Sequence, residues 1–499
     1  MNHHLISLTL IFPLLGALLQ TVVQTPRSRW IALAASLAAS ICAMILIASM
    51  QAQNADLQMT ESFPWVGSYA ITYDMAVDGL NALLIVLIGI LFPVLIASEW
   101  DQKVGVRGMQ GLFLLLQASL FGAVCAQDLF LQFFFWGLSA LPLYFLVGIW
   151  GGEQREKAAF KAMVAGSLGD ALIFSALIVI YYSVDPHSFS LRELAGGKLI
   201  GKEFNFLGLE LPVSGVAFVL MSAGLSLRAP IWPLHGWFTE VSQEAPSSVF
   251  VALCAGVVPV ALYLFVRYCY VLFPETLNSA SKWIVGVGIL NLLMGGICAV
   301  AQKGLRRLLA FICLSEVGLV LMGIGSLNPV GVVGAIYQQL ILGLGLAGFG
   351  LFSGIIAERT GNAWFMNEGR ERVLGGIVTR APVVSVVAGL VVASLLGFPG
   401  LGGFVGHALI IIGSYSIHPL TVLISGGALL LASYYLFTMY RFIFLGEVSQ
   451  KSESFQDLTL RERAYMFPVV LSLLFFGLYP KPLIELIRPT VLTVLSTVK

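Results

Sequence analysis

A chain of 499 residues with 58% hydrophobic and 11% charged side chains, and a mean hydropathy of +0.92, lies far outside the composition of soluble domains. Its 27 Lys and Arg nearly balance its 26 Asp and Glu, for a formal net charge of +1, and no basic stripe of the kind that binds nucleic acid is present. Apolar segments long enough to cross about 30 Å of hydrocarbon recur along the chain while strand alternation is absent, which predicts a polytopic all-α membrane protein and excludes a β-barrel.

In chain order, the first segment, MNHHLISLTLIFPLLGALL, has no Lys or Arg ahead of its apolar run and reads as a retained helix, not a signal peptide. Fourteen candidate spans follow one another at 5–22, 30–50, 78–98, 109–126, 129–150, 162–183, 213–243, 246–272, 283–302, 308–326, 331–357, 382–416, 420–440 and 465–484. Cytoplasmic loops should collect basic residues. The loops after spans 1, 3, 5, 9, 11 and 13 hold Arg27 and Arg29; Lys103 and Arg107; Arg155, Lys157 and Lys161; Lys303, Arg306 and Arg307; Arg359, Arg370, Arg372 and Arg380; and Arg441, Lys451, Arg461 and Arg463. Loops after even-numbered spans hold only Arg192, Lys198, Lys202 and Lys282, so both termini are expected outside the cytoplasm. The loop after span 7 carries no basic residue, and its side follows from its neighbours.

Two spans are too long for a simple crossing. Span 213–243 is interrupted by RAPIWP and span 382–416 by GFPGLGG; proline removes a backbone donor and glycine loosens the helix, so both should break near mid-membrane. Freed backbone groups are tolerated there only against protein or a hydrated cavity. The breaks occupy the fourth helix of two successive groups of five, and five is odd, so the second group is inverted relative to the first. The expected organisation is helices 1–3 in residues 1–108, a five-helix repeat in 109–272, an inverted repeat in 283–440, and a loop with helix 14 in 441–499.

The six cysteines (Cys42, Cys125, Cys254, Cys269, Cys298, Cys313) lie in apolar segments without CxxC spacing, which predicts packing roles and no metal or cluster ligation. GLGLAGFG at 343–350 matches GxGxxG but lacks the strand–turn–helix context of dinucleotide binding; its glycines are expected to permit close helix packing. Buried ionisable groups are costly and are therefore functional candidates. Arg228 lies in the first break. Asp170 and Glu316 sit about 12 Å from a helix end at 1.5 Å per residue. His235 is expected to stabilise the break, and Asp78 and Asp128, at helix ends, to be solvated or to cap.

VDGLNALL at 77–84, QDLFLQFFFWGLSALPLYFLVGIWGG at 127–152, PLHGW followed by EAPSS at 233–248, AQKGLRRLLAFICLSEVGLVLMGI at 301–324 and GFPGLGGFVGHALI at 397–410 stand together in an order similar to that of the antiporter-like membrane subunits of respiratory complex I, of the subunit M type, and of the related Mrp antiporter and membrane-hydrogenase subunits. The M type is expected because the chain ends at Lys499, just beyond helix 14, where the L type carries a long lateral helix. The resemblance implies a line of protonatable residues along the membrane mid-plane. It also implies that NAD(H), FMN, iron–sulfur clusters and quinone reside in partner subunits, with none bound by this chain.

At five positions the chain departs from the line that the resemblance implies. Gly137 stands for a glutamate on helix 5, Arg228 for a lysine on broken helix 7, Pro259 for a second lysine, Leu342 for a histidine on helix 11, and His407 for an acid or lysine on broken helix 12. Glycine, proline and leucine side chains bind no proton, and arginine stays protonated, whereas histidine titrates near neutrality. Loss of the helix 5 carboxylate leaves Arg228 in need of a counter-charge, for which Asp170 is the candidate. The leading expectation is a non-catalytic membrane-arm subunit of a complex I-like NADH-quinone oxidoreductase in a bacterial inner membrane. In it the usual proton relay is largely lost, and the role is structural or coupling. The alternative is an ion or inorganic-carbon transporter module using Arg228, Asp170 and His407 on an altered pathway. A stand-alone scaffold is a third possibility.

Overall fold

The computed structural model describes residues 4–24, 26–206, 208–361, 364–367, 372–417 and 419–498; Arg370 and Lys499, used above, lie outside them. The helices before the first break are α1 (Leu5–Val22), α2 (Arg27–Ala48), α3 (Ala82–Ser98), α4 (Val106–Cys125), α5 (Leu129–Leu138), α6 (Ala140–Trp150), α7 (Arg155–Ser183), α8 (Leu191–Leu194) and α9 (Val213–Arg228). After it come α10 (Gly236–Glu244), α11 (Ser247–Val251), α12 (Val258–Val271), α13 (Pro274–Val300), α14 (Leu305–Gly325), α15 (Pro329–Thr360), α16 (Ile377–Arg380), α17 (Pro382–Leu395), α18 (Gly402–Ser414), α19 (Leu420–Phe444), α20 (Leu460–Leu478) and α21 (Lys481–Val498). Among the described residues, 10 helical segments are long and apolar enough to cross a membrane, or 11 with the α20–α21 pair, which bends by 71°. The expected span 213–243 is divided into α9 and α10, and 382–416 into α17 and α18.

Two antiparallel hairpins, absent from the helical reading, cap one face: β1 (Gln58–Val66) with β2 (Ile71–Val77), and β3 (Glu203–Phe206) with β4 (Leu209–Pro212). The N-terminus is tied to this face, where Glu61 accepts Ile6 N–H at 2.8 Å. So is α21, through Gly79 N–H to Thr490 Oγ1 at 3.1 Å. The basic loops gather at the opposite face. Arg29 donates to Gln102 O, Trp150 to Val104 O, Gly152 N to Glu244 O, Arg306 to Gln243 O, and Arg461 pairs with Asp101. These contacts put the loop after α10, which has no charge signal of its own, on the basic face.

The core forms around helices apolar on every side. The crossing from Ser247 to Val271 is wholly buried, and α14 and α15 nearly so, whereas α1, α2, α7 and α19 keep long exposed apolar flanks. Glycines set the approach distance of α15: a Cβ at Gly343 would meet Ala255 O at 2.8 Å, and Gly345 and Gly348 are closed by Leu395 and Val391. Between α11 and α12 the ladder widens into a π-helical turn at Ala252–Val257, just ahead of Pro259, which has no N–H to offer the carbonyl of Ala255. The last helix, α21, was not foreseen. One face, Leu486, Ile487, Thr490, Val491 and Leu495, is buried, while Lys481, Glu485 and Arg488 remain exposed, so it lies as an amphipathic helix over the capped face.

Candidate functional site: two buried charge clusters at the helix breaks

Arg228 is the last residue of α9, and the chain turns extended at Ala229. Its partner is set by backbone approach. A Cβ at Gly169 of α7 would lie 2.6 Å from Gly224 O, and one at Gly224 2.5 Å from Gly169 O, so the two helices touch at glycines. Asp170 follows Gly169, and Arg228 lies one turn beyond Gly224. The guanidinium donates from Nε to Asp170 Oδ1 and from Nη2 to Oδ2, both at 3.4 Å. It donates more closely to Trp136 O at 2.8 Å and stacks 4.4 Å over the Trp136 ring. That carbonyl is presented where α5 gives way to α6, and it also accepts from Ser139 N at 3.2 Å and Ser139 Oγ at 2.6 Å. A Cβ at Gly137 would stand 3.9 Å from Asp170 Oδ2, so the carboxylate of α7 lies beside the position where α5 has none.

The second cluster lies at the α17–α18 break. His407, buried in the first turns of α18, has Nε2 3.1 Å from Glu316 Oε2 on α14, and Gln338 Nε2 of α15 donates to the same oxygen at 2.9 Å. A side chain at Gly397, where φ is +71°, would come within 2.6 Å of His407 Nδ1, and Gly406 leaves room for the Gln338 amide. Glu316 therefore bonds to neighbours on two other helices.

The remaining sequence candidates are distributed differently. Pro259 and Leu342 are buried. His235 begins α10 without a capping bond, and its buried Nδ1 lacks a partner. The first break is satisfied by Asn291 of α13, which accepts Trp232 N–H at 2.7 Å and donates to Pro230 O at 3.3 Å and Leu314 O at 2.8 Å. Asp128 caps α5 through Phe130 N and Leu131 N, fully buried. Asp78 is not solvated: it is 2% exposed and paired with Arg267 Nη1 at 2.7 Å, which also donates from Nε to Tyr263 Oη at 3.1 Å. Sequence reasoning passed over Arg267, and the signal was available, because an arginine inside the apolar run 246–272 needs a counter-charge. Helix α21 covers this pair, with Leu486 O and Thr490 against Gly79.

The profile of a family described as NADH:quinone oxidoreductase/Mrp antiporter, transmembrane, matches residues 126–431. The chain is similar to the NADH-quinone oxidoreductase subunit M of Rhodobacter capsulatus, at 28% identity over 98% of this chain and 96% of that one. In fold it is similar to a chain of respiratory complex I from Thermus thermophilus with bound NADH, at a TM-score of 0.87, 23% identity and 100% coverage of both chains. It is also similar to a chain of the Mrp complex of a Dietzia species, at a TM-score of 0.85, 19% identity, and 100% and 99% coverage.

Proposed function

The chain belongs to the NADH:quinone oxidoreductase/Mrp antiporter transmembrane family, and from that premise we propose that it is a membrane-arm subunit of a complex I-like NADH-quinone oxidoreductase whose usual proton relay is largely lost, leaving a structural or coupling role. One observation carries the reading. Arg228 is held by Asp170, Trp136 O and the Trp136 ring, a fixed guanidinium engaged at the helix break. Gly137, Pro259 and Leu342 add no titratable group where the family relay needs one. In this reading fourteen helical units cross a bacterial inner membrane as two inverted repeats, with both termini outside the cytoplasm. The gathering of basic loops on one face supports that orientation. NAD(H), FMN, iron–sulfur clusters and quinone belong to partner subunits.

The second reading, an ion or inorganic-carbon transporter module on an altered pathway, draws on the His407–Glu316–Gln338 cluster, which keeps two titratable side chains in contact. His407→Ala in the purified, reconstituted complex separates the two. The proton-to-electron ratio is expected to stay unchanged. A lower ratio with intact assembly and quinone reduction would transfer the assignment to a working path through His407.

A further inference from the structure

On the basic face a cleft of about 830 Å³ opens between α1 and α6, with α4 as its floor. That floor is bare backbone at Gly108 and Gly111, where a Cβ would stand 3.4 Å from the Trp150 ring and 3.4 Å from Gln20 respectively. Leu112 and Leu115 of α4, with Phe145 and Ile149 of α6, make the interior apolar. From Gly105 to Leu115 the cleft follows α4 for about 15 Å at 1.5 Å per residue, half of the roughly 30 Å of hydrocarbon. There it ends: a Cβ at Gly16 would meet Leu114 at 3.0 Å and Ala35 at 2.5 Å, so α1 closes on α4 and α2.

The mouth has a different chemistry. Lys103 and Arg107 stand exposed at its edge; Arg107 Nη1 reaches the carbonyl of Val23 at 3.5 Å, and among the described residues neither cation pairs with a carboxylate. Asp101, the nearest acid in sequence, is taken by Arg461, and among the described residues no carboxylate lines the cleft. Trp150 donates its indole N–H to Val104 O at 2.8 Å, which fixes an amphipathic ring at the rim, where such rings meet headgroups. Gln20, 4% exposed, borders the cleft with Oε1 unpartnered, a buried acceptor that a headgroup hydroxyl can meet. The occupant must therefore be one leaflet deep, apolar below and anionic above. A membrane-spanning helix is about twice too long for a cleft that stops at mid-membrane. We propose that the cleft binds an anionic phospholipid of the leaflet on the basic face, with its phosphate between Lys103 and Arg107 and one acyl chain lying over Gly108, Gly111 and Leu115.

Native mass spectrometry of the full chain in its detergent-solubilised complex, after lipid stripping and titration with dioleoyl phosphatidylglycerol or dioleoyl phosphatidylcholine, tests the site. Phosphatidylglycerol is expected to bind in preference. Lys103→Gln with Arg107→Gln should weaken it on the order of thirtyfold, about 1 kcal/mol per basic residue, whereas Lys198→Gln with Lys202→Gln, near the capped face, should leave it unchanged. Ala17→Trp, which fills the apolar part of the cleft and keeps both cations, should also weaken the lipid, and it decides the matter alone if the charge variant fails to fold. Full affinity in these variants, or equal affinity for the two lipids, would overturn the proposal. So would glycerol 3-phosphate binding as tightly as phosphatidylglycerol, which would mark a site for free phosphate. Cross-linking from Leu112→Cys to a transmembrane helix of a neighbouring subunit, with lipid excluded, would likewise overturn it.

Discussion

Asp170→Leu, Arg228→Leu and the double variant test whether the charge at the first break is held by a partner or merely tolerated. Removing one member of a buried pair costs about 3–5 kcal/mol. The 3.4 Å separations at Arg228 are longer than the usual charge-assisted contact, which places the pair toward the lower end. A guanidinium abandoned by Asp170→Leu is still held by Trp136 O and the indole ring. The double variant should therefore fall short of the summed single losses by about 2–3 kcal/mol. Gly137→Glu should recover part of the Asp170→Leu loss, because its side chain starts 3.9 Å from where Asp170 Oδ2 stood. Unfolding of the purified protein in mixed micelles with increasing SDS measures all four. Equal, strictly additive losses with no recovery from Gly137→Glu would refute the coupling.

Asn291→Leu strips the first break of its acceptor at Trp232 N–H and should destabilise the protein in the same assay by about 1–3 kcal/mol, whereas His235→Leu should cost less. Asp457 is subject to burial, which raises its carboxyl pKa, but backbone N–H groups of Val383, Leu458 and Val384 win and hold it below the ordinary carboxylate value. Its capping of α17 is thus present above the unfolded value near pH 4 and is lost as pH falls through the lower folded value. Asp457→Asn should cost about 1 kcal/mol at pH 7 and flatten the acid limb of the stability profile, as read by thermal melting from pH 7 to 3. A cysteine at exposed Ser496 should react with a membrane-impermeant maleimide in intact cells, while one at exposed Arg307 should react only after lysis; the reverse pattern would overturn the orientation.

Chemistry local to the chain was legible directly. Hydropathy sets the helical membrane class, Pro230 and Pro233 with the glycines of 397–403 set the two breaks, and an arginine in an oily segment announces a counter-charge. Asp170 could be named as the candidate acid, and it is the acid that answers, but the contact itself was not written locally. Helix α7 is apolar around most of its circumference, so no amphipathic face tells which way Asp170 points. The glycine-on-glycine contact of Gly169 with Gly224 fixes that rotation, and it exists only once α7 and α9 are packed. The same reason hid the Asp78–Arg267 pair, 189 residues apart, the bridging of three helices by Glu316, His407 and Gln338, and the rescue of the first break by Asn291 in place of His235. Helix α21 escaped for a related cause: its sequence is too polar to signal a span, and its buried stripe acquires meaning only against the face that Gly79 and Asp78 present. Composition and backbone breakers act within a few residues of themselves, whereas the partner of a buried charge is chosen by the rotation and depth of whole helices, which only their mutual packing determines.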